Sequence, residues 1–172
     1  KLLALKKATR EFQKKNLLAQ LSNEYKDELK NLQYSDNKRL NDLAIALISL
    51  TDDVNKELFM SGSTIPNINC LIDIKRKVFV NFETDTDLCQ LVKKLNIEII
   101  KKSFPRNRAD GDQVEKGLIL LESLNLLKDG FSTELKELEL SLKMLTKIGL
   151  IDLVNEISIE LIASNALRKM VL

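Results

Sequence analysis

The chain has 172 residues, 27 Lys plus Arg against 25 Asp plus Glu, five Gly, two Pro, two Cys and no histidine. The missing histidine removes the commonest general base and metal ligand, and two cysteines without CxxC spacing cannot supply a tetrahedral zinc site. So few Gly and Pro leave little material for phosphate-cradling loops or a many-turned sheet, and a formal charge of +2 gives no dominant field for nucleic acid.

Apolar residues recur at spacings of three and four along most of the chain, the period of amphipathic helices. A first, Lys-rich helix carries Leu5, Ala8, Phe12, Leu18, Leu21, Tyr25, Leu29 and Leu32 and is expected to run to about residue 32. QYSDN (33–37) breaks it, and Ser35 or Asp36 is placed to cap a helix bearing Leu40, Leu43, Ala44, Leu47 and Leu50. Thr51 then caps a short helix, TDDVNKELF, which SGS (61–63) ends. Pro66 suits the first turn of a helix with Ile68, Leu71, Ile72 and Ile74. Residues 75–87 lose the period before a helix with Leu88, Leu91, Val92, Leu95, Ile99 and Ile100. PRNRADGD (105–112) is the longest polar interruption, and three helices follow over about 113–128, 132–148 and 150–172, with Gly130 and Gly149 at their stops. The fold class is therefore all-α, a bundle of about eight helices in short pairs.

Other readings concern the setting. The chain opens on Lys1 in helical patterning, as an excised piece of a longer protein would. It has no signal peptide and no apolar run near the roughly 18 residues of a membrane span, so no membrane role is expected. Cys70 and Cys89 read as unpaired thiols suited to a reducing compartment. KKATREFQKK (6–15) is a solvated helix face or a basic arm, and without aromatic interleaving it does not make nucleic acid the primary partner. Asp52 with Asp53, and Asp85 with Asp87, sit at helix caps with the wrong spacing to share a helix face, so no enzyme, metal or cofactor is expected.

An ungapped offset of 74 lays Leu40 on Val114, Ile45 on Ile119, Leu47 on Leu121, Leu50 on Leu124, Ile68 on Leu142, Leu71 on Leu145 and Ile74 on Ile148. Two in-phase amphipathic helices always match somewhat, yet this register survives two interhelical breaks. Duplication of a helical unit, as in arrays, is the alternative to chance.

The order EYKDELKNL (24–32), RLNDLAIALISL (39–50), DDVNKELF (52–59), SGSTIPNINCLIDIKRK (61–77) and DLCQLVKKLNIEIIKKSF (87–104) resembles the integrase-binding domains of LEDGF-type chromatin factors. More loosely it resembles the N-terminal domain of elongation factor TFIIS. The resemblance covers 18–106, and 113–172, with LKMLTKIGLIDLV (142–154), looks like a second copy lacking its first helix. It implies a start of a basic helix at 1–17, a helical domain at 18–106, a linker at 107–112 and a second helical subdomain packed on the first at 113–172. It further implies a nuclear scaffold, with a cytoplasmic one as the alternative. Such a scaffold binds short, disordered, acidic-and-aromatic segments of transcription or chromatin proteins between two loops. The first loop offers Tyr34 and Asp36, and the second offers Val78, Phe79 and Val80. That first loop is about three residues shorter than the family's.

The residues themselves are compatible with this. VFVNF (78–82), outside the helical period, is either core or a set of partner anchors, because a large apolar side chain left in water forgoes about 1.5–3 kcal/mol. Lys75, Arg76 and Lys77 complement a helix C-terminus and also suit an acidic peptide. A fragment of a HEAT- or armadillo-type solenoid within a multiprotein complex is the competing reading.

Overall fold

A computed structural model describes residues 2–14, 17–51, 65–79, 85–102, 113–128 and 133–171. Every element among them is helical: α1 (Leu2–Lys14), α2 (Leu18–Glu24), α3 (Lys26–Leu32), α4 (Lys38–Ile48), α5 (Pro66–Arg76), α6 (Asp87–Lys102), α7 (Gln113–Leu126), α8 (Leu135–Lys147) and α9 (Ile151–Val171). The fold is all-α, as the periodicity requires. The short helix expected from Thr51, and the boundary at 105–112, lie outside the described residues, as do Gly130 and Phe82. Only Thr51 itself is described, buried, with its hydroxyl donating back to the Ile48 carbonyl at 2.8 Å.

The first helix is not one rod to residue 32 but three pieces. Between α1 and α2 the Leu17 N–H reaches back five residues to the Phe12 carbonyl at 2.9 Å, in place of the four of an α-helix. Between α2 and α3, Tyr25 leaves the helical region (φ −107°, ψ 26°), yet the bonds Tyr25 N–H to Leu21 O and Leu29 N–H to Tyr25 O persist. The hydrogen bonding continues across the irregular backbone at Tyr25, where no Gly or Pro marks the break in the sequence. The cap of α4 is one residue further on than expected. Asn37 Oδ1 accepts from the Leu40 N–H at 3.2 Å, and Ser35 Oγ accepts from the Asn37 N–H instead.

Two compact units are formed, one from 1–86 with 159–172 and one from 87–158, so the division by compactness falls at Thr86/Asp87 and inside α9. In the first unit α4 is the centre. Helices α2, α3 and α5 pack on it, and every residue from Asp42 to Ile48 is buried. Leu18, Leu21, Leu29, Ile68, Leu71, Ile72 and Ile74 complete this core with Ile162, Ala163, Ala166 and Leu167 of α9. A part-buried set of polar contacts around the buried Asn67 holds the start of α5. Asn67 Nδ2 donates to Asn165 Oδ1 at 2.7 Å, and Thr86 Oγ1 donates to Asn67 Oδ1 at 2.8 Å.

In the second unit α8 is central, packed by α6 and α7, with Leu91, Val92, Leu95, Leu138, Leu142, Leu145 and Val154 buried. The α7–α8 seam runs through two fully buried serines, where Ser141 Oγ donates to the Ser123 carbonyl at 3.0 Å. Serine's small volume lets the two helices approach closely.

The internal match holds for packing in only one of its helix pairs. Ile68 and Leu142 are both buried, as are Leu71 and Leu145. Leu40 and Leu47 of α4 are buried, but their counterparts Val114 and Leu121 of α7 are exposed. The helix stops are also two residues out of register, since α5 ends on a left-handed Lys77 and α8 on a left-handed Gly149.

Candidate peptide-binding site

The second candidate loop begins with the way α5 ends. Lys77 adopts φ 58°, ψ 36°. Its N–H donates to the Ile74 carbonyl at 3.0 Å, and the Val78 N–H donates to the Asp73 carbonyl at 2.8 Å. These are the paired bonds of a Schellman stop. The same pair closes α8, from Gly149 N–H to Thr146 O and from Leu150 N–H to Leu145 O. Glycine is the usual residue at this position because a Cβ disfavours the left-handed region; α5 places a lysine there.

The stop turns the chain so that Lys77 is exposed and Val78 stands 39% exposed, while Lys75 and Phe79 are half-buried. The core alternative for Val78 is thereby overturned: the chain reversal at Lys77 carries it out to solvent. Arg76 is the last residue of α5, and its side chain, like all of Val80, lies outside the described residues.

The first loop is held at both ends. Ser35 N–H donates to the Leu32 carbonyl at 3.1 Å, and Asn41 Nδ2 of α4 donates to the Gln33 carbonyl. With its backbone fixed in this way the loop projects Tyr34, 71% exposed, and Asp36, also exposed. Gln33 turns inward instead. It is buried, and neither polar atom of its amide has a hydrogen-bond partner, an uncommon condition for a buried side chain. Its place in the loop QYSDN (33–37) gave no sign of this, because a polar residue in a polar break carries no signal of burial.

The structure therefore groups Tyr34 with Asp36, and Lys75 and Lys77 with Val78 and Phe79. The two groups follow α3 and α5, which share α4 as a neighbour and are not themselves among the closely packed helix pairs. No group of three or more His, Cys, Asp or Glu able to hold a metal ion occurs among the described residues. No helix among them is long and apolar enough to cross a membrane.

The cysteines correct another expectation. Cys70 and Cys89 are both fully buried and both disulfide-bonded, not free thiols. Spacing in sequence could not disclose this, because disulfide bonding is decided by three-dimensional geometry. The chain matches no family model, no curated protein and no solved structure.

Proposed function

We propose that the chain is a non-enzymatic interaction scaffold of the integrase-binding-domain or TFIIS N-terminal type. Its first unit binds short disordered peptides that combine acidic residues with an aromatic or aliphatic anchor. The observation that supports this most directly is the end of α5. There an exposed lysine in the left-handed region stands beside an exposed valine, a cation and an apolar surface presented together. Tyr34 and Asp36 on the first loop would extend the contact, and Lys75 and Arg76 would add to the field that draws in an acidic segment. Val80, following Phe79, belongs to the same proposed set.

The chromatin or transcription role and the nuclear location come from the resemblance alone. Disulfide-bonded cysteines weigh toward an oxidising compartment, so the proposal rests on peptide chemistry and not on the compartment. The solenoid reading has one observation in its favour: most closely packed helix pairs are neighbours in sequence, as in helical arrays.

Titration of the whole chain with a fluorescent peptide of Asp, Glu, Phe and Leu is the test. Binding near micromolar is expected, weakened about tenfold, or ~1.4 kcal/mol, by Phe79→Ala with Val80→Ala. Equal binding to wild type and variant sinks the site assignment.

A further inference from the structure

Helix α7 has the composition of a surrounded helix and the environment of a half-covered one. In its sequence, QVEKGLILLESLNL, apolar residues are spread around the helix with Glu115, Lys116 and Glu122 between them, whereas a helix covered on one side usually gathers them in a single stripe. Yet Val114 is 68%, Leu118 62% and Leu121 65% exposed. At 100° per residue these three fall within an arc of about 60°, and exposed Leu124 widens the stripe on one side. Opposite them Ser123 is buried against α8. On the other edge, beside Leu118, stand Glu115 and Glu122, seven positions apart along one line of the helix and both exposed.

The chain contains its own example of how such a face is covered. At the offset of 74, Val114 and Leu121 correspond to Leu40 and Leu47 of α4, which are buried in the unit where α2 and α3 pack on α4. Those helices bring Leu18, Leu21 and Leu29, spaced as on an amphipathic helix.

We propose that the Val114, Leu118, Leu121 and Leu124 face of α7 docks a single amphipathic helix of a partner protein. That helix carries aliphatic side chains at i, i+4 and i+7, and Lys or Arg along the edge that meets Glu115 and Glu122. The size of the patch selects a helix over a second copy of the chain. Four side chains along one helix face match the i, i+4, i+7 stripe of one amphipathic helix packed against it, whereas a standard interface between globular partners draws roughly 20–30 residues from each side. The acidic edge sets the sign of the partner's charge. The inference is independent of the peptide loop at Lys77.

Two synthetic four-turn helical peptides of Leu and Ala test this, one with lysines along an edge and one with glutamates at the same positions. Fluorescence anisotropy with the whole chain should show the Lys-edged peptide binding at least about tenfold more tightly. Leu118→Asp with Leu121→Asp, surface changes whose fold is checked by circular dichroism, should cost about tenfold, and Glu115→Lys with Glu122→Lys should reverse the preference. Equal binding of the two peptides overturns the charge assignment, and binding indifferent to the Leu118 and Leu121 changes overturns the site. A dimer seen by sedimentation and abolished by Leu121→Asp overturns the helix in favour of a second copy.

Discussion

Lys77 holds a backbone conformation that costs a non-glycine residue roughly 1–2 kcal/mol, while α8 makes the same stop with Gly149. Relief of that strain, less glycine's greater entropy in the unfolded chain, gives an expected gain of about 0.5–1 kcal/mol for Lys77→Gly, read from urea unfolding. If Lys77 also meets acidic peptide, the same change weakens peptide binding. Stability and affinity then move in opposite directions, which a purely structural lysine would not produce. Gln33 presents a similar contrast. Its amide is buried without partners, so Gln33→Met should leave stability unchanged or raise it by about 1 kcal/mol, as thermal unfolding would report.

At the scale of elements, the α7–α8 seam depends on small side chains. Ser141→Ala removes a donor, but the Ser123 carbonyl still accepts from the Leu127 N–H at 3.2 Å. The expected loss is therefore small, within about 1 kcal/mol. Ser141→Leu forces extra volume into a fully buried contact and should cost about 1–3 kcal/mol; comparing the two in denaturant separates hydrogen bonding from packing. On the outer face of α8, Lys143 Nζ lies 2.6 Å from Glu139 Oε1. Hydrogen bonding to Lys143 holds the Glu139 carboxyl below the usual range, and the same bond raises Lys143. The lowered carboxyl stabilises the fold above its unfolded pKa and loses that contribution as pH falls through its folded value. The raised lysine contributes below its ordinary pKa and loses it as pH rises through the raised one. Both partners are exposed, so Glu139→Gln should cost only a few tenths of a kcal/mol near neutral pH, a difference that shrinks on acidification.

For the molecule as a whole, the disulfide-bonded state of Cys70 and Cys89 is the feature with the largest thermodynamic leverage. Alkylation of the unfolded, unreduced chain should label neither cysteine, and reduction should lower stability by about 2–4 kcal/mol. Labelling of both without reductant would restore the thiol reading and with it a reducing compartment.

The sequence by itself determined that the chain is helical, because a recurring apolar period of three to four leaves no strand pattern to compete. It also placed Pro66 at the head of α5 and Gly149 at the stop of α8, where local backbone geometry decides the residue. Of the candidate site it located the two loops, since each is a break in that period. Tertiary structure alone decided what each apolar residue faces. Ile45, Ala46 and Ile48 are buried because α4 is surrounded, whereas Leu118 and Leu121 are exposed because α7 is covered on one side. It also decided that Val78 leaves the core, that Gln33 enters it, and that the cysteines are bonded. Helical period is a property of neighbours along the chain; burial and bonding depend on which distant segments arrive, and no local pattern encodes that.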